Sequence, residues 1–141
     1  MKRSIELVIL ASAVLLFNEA CTKNTDSGIV NNVTPIVTNG TWRVSLFSER
    51  GVDETSDFTG YSFTFQSDGK LPVQLGGATV KQGTWSEDNS LGKLIIDLGV
   101  KDNTNKPLGE LTDDWKIISS SNTEIKLKDD SKNEVLTFTK N

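Results

Sequence analysis

The sequence predicts an all-β fold: eight antiparallel strands closed into an up-and-down barrel. Three observations predict it. From Gly40 onward apolar residues recur at every second position, no stretch of ten carries a helical stripe, and the links are short and rich in turn-forming residues. The first strand is read at Trp42, Val44 and Leu46, alternating with Arg43 and Ser45. Tyr61, Phe63 and Phe65 mark the second, alternating with Ser62, Thr64 and Gln66, and Leu71, Val73 and Leu75 the third. Val80 to Trp85 gives the fourth, Leu94, Ile96 and Leu98 the fifth, Trp115 and Ile117 the sixth. Ile125 and Leu127, then Leu136 and Phe138, complete the set. These runs are rich in the β-branched and aromatic residues that suit a pleated, half-buried surface.

The links carry turn chemistry. Asp68-Gly69 supplies the positive φ of a tight hairpin, and Gly76-Gly77, Glu87 to Ser90, Ser119 to Asn122 and Asp129 to Asn133 punctuate later pairs. Short links favour antiparallel neighbours, because parallel strands need long crossovers. Closure into a barrel removes exposed edges. A two-sheet sandwich is the competing arrangement, but a single Cys leaves no immunoglobulin-type pair to support it. Val80 and Trp85 disagree in parity within one strand, which places an expected bulge at Gly83. Phe47, Ile95, Ile118 and Val135 fall on the nominally outward face.

Composition narrows the function classes. A chain of 141 residues supports one core. A net charge of −4 leaves no footprint for nucleic acid, and zero His removes the commonest general base and metal ligand. One Cys cannot form an internal disulfide or a Cys-rich metal site. No cofactor is expected.

The amino terminus is unlike the rest. Lys2 and Arg3 precede the apolar run Leu7 to Phe17, which is shorter than the about 20 residues a membrane-spanning helix needs. Such a run suits the core of an export signal, with small Ala20 at the cleavage point and Cys21 immediately after it. The arrangement resembles a bacterial lipoprotein signal, with Asn18 and Glu19 before Ala20. The resemblance implies cleavage after residue 20, a diacylglyceryl group on the Cys21 sulfur and, with Thr22 following, the outer membrane as destination. An ordinary secretory signal is the alternative. Each buried methylene contributes about 0.8 kcal/mol, so a diacylated Cys anchors without any protein contact. Removing residues 1–20 takes away Lys2, Arg3, Glu6 and Glu19, so the net charge stays −4 and attraction to anionic lipid is not the attachment. Residues 21–39 are read as the lipidated Cys and a flexible tether, residues 40–141 as the barrel. Ile29 to Val37 are more apolar than a tether requires, and the expectation is that they fold back on the outer surface or meet a partner.

The run from Gly40 to Lys140 resembles the small lipocalin-like domains of bacterial lipoproteins. The residues that carry this are Gly40-Thr41-Trp42, Gly60 to Phe65, Asp68-Gly69, Gly83-Thr84-Trp85 and Leu111 to Trp115. The resemblance implies a calycin-type barrel and small apolar ligands. It also implies a basic residue of the last strand over the first-strand Trp, a place Lys140 would take where Arg is usual. On the alternation Trp42, Val44, Tyr61, Phe63, Phe65, Trp85 and Trp115 point inward and are the candidate lining of a ligand lumen; the competing reading is that these rings fill the interior.

Other constellations are weaker. Asp113 and Asp114 are adjacent, so in a strand they face opposite ways and do not form a carboxylate pair for glycoside chemistry. Asp102 to Asn105 lacks the glycine and distal glutamate of a calcium loop, and Gly76-Gly77 is not followed by the Lys-Ser/Thr of a phosphate loop. No catalytic set and no metal site are expected. The leading expectation is a membrane-anchored, non-catalytic binding protein for a small apolar ligand. Its alternative is a cell-envelope interaction module with a solid barrel that meets a protein or glycan on its loops or outer surface.

Overall fold

The computed structural model describes residues 32–141. The expected signal 1–20, Cys21 and the following residues to 31 lie outside the described residues. A short helix, α1 (Thr34–Val37), precedes nine strands: β1 (Trp42–Glu49), β2 (Val52–Asp53), β3 (Tyr61–Phe63), β4 (Lys70–Leu75), β5 (Ala78–Asp88), β6 (Lys93–Asp97), β7 (Asp113–Ser120), β8 (Glu124–Asp129) and β9 (Glu134–Lys140). All pairings are antiparallel, and each strand from β3 to β9 pairs with the next in sequence. β1 closes the ring by pairing with both β3 and β9, from Trp42↔Lys140 to Glu49↔Glu134 on the β9 side. The result is a closed eight-stranded barrel, with β2 a two-residue extension folded back on the end of β1.

The strand positions follow the alternation, and the exceptions are bulges. Ser45 is an extra residue between Val44↔Phe138 and Leu46↔Thr137, so parity flips after it. Phe47, read as outward-facing, is therefore fully buried, and Leu46 is the exposed residue. In β5 the register steps from Val73↔Lys81 to Gln74↔Thr79, so the bulge lies at Val80 and not at Gly83. Gly83 instead faces the interior at a point of close approach: a Cβ there would lie 2.5 Å from the Asp97 carbonyl oxygen and 2.5 Å from Leu98 Cδ2. A third bulge at Ile118 leaves that side chain outside. Bulges add local twist and bend, which closing a short barrel requires.

Both ends are covered. At the end where β1 begins, Val33 and Val37 of the α1 segment are fully buried in the core, so residues 32–39 are a docked plug rather than a free tether, and they enter the barrel end instead of lying on its outer wall. Pro35 stands in the first turn of α1, where its missing N–H costs nothing. Glu87 of β5 holds the first turn: its carboxylate accepts the Val33 and Thr34 N–H groups at 2.5 and 2.9 Å and the Thr34 hydroxyl at 2.6 Å. Trp42 Nε1 donates to the Val37 carbonyl at 2.8 Å. At the other end the 3-10 turns Thr55–Phe58 and Leu108–Leu111 insert Phe58, Leu108 and Leu111. Trp115 Nε1 donates to the Leu111 carbonyl at 3.0 Å.

Candidate functional site

Six of the seven expected lumen residues join one core, and the seventh, Tyr61, packs against it. Trp42, Phe63 and Trp115 are fully buried, Val44, Phe65 and Trp85 are buried, and Tyr61 is half-buried. Four of their rings, Phe63, Phe65, Trp85 and Trp115, pack edge-on against another core ring. Phe63 and Phe65 both stand edge-on to Phe138, with centroids 5.3 and 5.5 Å apart, and Phe65 meets Trp85 at 5.6 Å. Phe47 packs edge-on against Phe58 at 5.2 Å and Trp115 at 6.5 Å. These are the favoured geometries of aromatic pairs, and side chains of this size can fill the volume an eight-stranded barrel encloses. Lys140 lies over Trp42, its ammonium 6.0 Å from the ring centroid, which is the packing the lipocalin resemblance implies.

One wall is incomplete. β1 and β3 register only at Trp42↔Phe63; beyond it β1 stays with β9 and β3 with β4, and the two strands part. The turn Thr55–Phe58 bridges the gap: the Phe47 N–H donates to Thr55 Oγ1 at 2.9 Å, and the Glu54 N–H donates to the Phe47 carbonyl at 2.9 Å. What is left is a half-open cleft of about 360 Å³ whose walls include Arg43, Val44, Ser56, Phe58, Thr59 and Tyr61. Two of the expected lumen residues, Val44 and Tyr61, thus border this cleft, and a third, Phe65, borders a more open concavity of about 560 Å³ beside Thr38 and Thr64. Among the described residues the Arg43 guanidinium makes no ion pair.

Another concavity, about 410 Å³ and lined by both charge signs, lies on β6, β7, β8 and the β8–β9 turn. Asp113, Asp129 and Glu134 bring carboxylate oxygens within 4.8 Å of one another. The cation among them is a lysine ammonium: Lys132 pairs with Asp113 and, at 3.4 Å, with Asp129. Lys101 pairs with Glu134 at 3.0 Å and with buried Glu110 at 3.6 Å. The bond to Asp113 is the main cause of the raised Lys132 pKa. Burial pushes the Glu134 carboxyl above its ordinary value against the pull of Lys101. Asp114 points elsewhere, to Lys93 at 2.6 Å, so the adjacent aspartates serve different partners. Asp102 caps its own turn, accepting from the Thr104 N–H at 2.9 Å and the Thr104 hydroxyl at 2.7 Å.

Sequence reasoning missed the seam cleft, the Glu87 latch and the Lys101–Glu134 pair. The latch and the ion pair join segments far apart in the chain, and the cleft depends on where β1 and β3 part, which no local spacing announces.

A closed eight-stranded antiparallel barrel capped at both ends defines the class of fold. No family model matches the chain, and no curated protein matches it. Among solved structures, the crystal structure of a DUF4847 family protein from Bacteroides vulgatus ATCC 8482 is similar, with a TM-score of 0.57 and 18% sequence identity. The match covers 78% of this chain and 98% of that one. At that identity the likeness is one of fold.

Proposed function

We propose that this chain is a membrane-anchored, non-catalytic binding protein of the bacterial cell envelope, held at the outer membrane by lipid on Cys21. In this reading its barrel is filled, and it meets its ligand at the β1–β3 seam. One observation supports this reading: Phe63, Phe65, Trp85 and Trp115 pack edge-on against other core rings, while Val44 and Tyr61 border the seam cleft. Coverage at both ends by Val33, Val37, Phe58, Leu108 and Leu111 supports it. A small ligand with an apolar part suits a cleft with Val44 and Phe58 in its wall.

Titration of the chain from residue 22 on with a fluorescent apolar probe, read by Trp quenching, separates this reading from a ligand lumen. The seam reading expects weak quenching, because Trp42 and Trp115 are fully buried on the inner side. Strong saturable quenching of all three Trp would place the probe inside the barrel instead. Detergent partition of the full chain and of Cys21→Ala tests the anchor: the variant is expected to stay in the aqueous phase, and equal partition of both would refute lipidation.

A further inference from the structure

We infer that the seam cleft takes a small apolar carboxylate, with the anionic head on Arg43 and the hydrocarbon against Val44 and Phe58; this rests on the seam reading above. The cleft offers one cation, Arg43, and hydroxyls that can donate to an anion as well as accept. Arg43 offers a fork of N–H groups and has no ion pair among the described residues. The Tyr61 and Ser56 hydroxyls make no hydrogen bond among the described residues. Among the described residues no carboxylate lines the cleft, although acids outnumber bases 19 to 15 in the whole chain. A ligand that brings an acceptor pair and a negative charge satisfies this edge; an amine would meet Arg43 with like charge. A single guanidinium matches a single carboxylate in bidentate geometry. Val44 and Phe58 supply the apolar part of the lining with the small outer surface each retains, 7% and 2% exposed. The volume, about 360 Å³, lies near the small end of the range for ligand pockets, roughly 300–1,000 Å³, which suits a short acyl or aryl acid and not a long lipid.

The test is an amide NMR titration of the full chain carrying Cys21→Ser, which blocks lipid attachment and leaves residues 32–141 unaltered. Octanoate, octanol and octylamine serve as probes of equal length. The expected result is saturable shifts at Arg43, Ser56, Gly60 and Tyr61 with octanoate, about tenfold weaker binding of octanol, and weaker still of octylamine. Arg43→Gln is expected to bring octanoate down to the affinity of octanol and to leave octanol unchanged. If octanol equals octanoate at these same amides, the carboxylate preference is wrong and the seam remains a binding site. Shifts centred instead on Trp42, Phe63 and Phe138, or none with any probe, would overturn both.

Discussion

Single residues fix the capping and the charge balance of this barrel. Glu87 satisfies two N–H groups and one hydroxyl of the α1 segment with one carboxylate. Glu87→Gln is expected to lower stability by about 1–3 kcal/mol in urea unfolding and to speed hydrogen exchange at the Val33 and Thr34 amides. Gly83→Ala places a methyl 2.5 Å from Asp97 oxygen and should cost about 1–3 kcal/mol by overpacking. Glu134 works in the opposite sense. Its folded pKa is raised above the ordinary 4.5 by burial, so the ionised form is disfavoured in the folded state. That penalty is absent below the unfolded pKa, where both states are protonated, and complete above the folded one. Glu134→Gln should therefore raise the melting temperature at pH 7, by an amount that shrinks as pH falls through the carboxylate range. A gain that grows toward acid pH would contradict this account of the buried carboxyl.

At the scale of elements, parity was legible and its interruptions were not. Leu71 and Val73, or Ile125 and Leu127, are buried where alternation puts them, because a strand with one wet face leaves no other register. A bulge inserts one residue without a compositional mark, so the flip at Ser45 that buries Phe47 could not be read, and Gly83 drew the bulge that belongs to Val80. The α1 segment was misread for a related reason. Four residues around Pro35 are too few for a helical period, and what buries Val33 and Val37 is the open barrel end beside them rather than any local pattern. Val33→Ala and Val37→Ala should each cost about 1–3 kcal/mol in chemical unfolding, as buried aliphatic side chains do. A change within 0.3 kcal/mol, the tolerance of an exposed position, would mean that the segment is not docked.

For the whole molecule, closure was legible because eight short strands with tight links have few other ways to hide their edges. The seam was not, since it depends on where β3 parts from β1 after one residue pair. The choice between lumen and filled core was also out of reach, because period-two alternation names the residues that face inward but not how their rings share the volume. The central claim is that this interior is full. Xenon-saturation NMR of the aliphatic methyls tests it most directly, since xenon enters dry apolar cavities. Methyls of Leu71, Val73, Leu94 and Leu136 are expected to show no saturable shift. Saturable xenon shifts at these methyls would reveal an internal cavity and contradict the account.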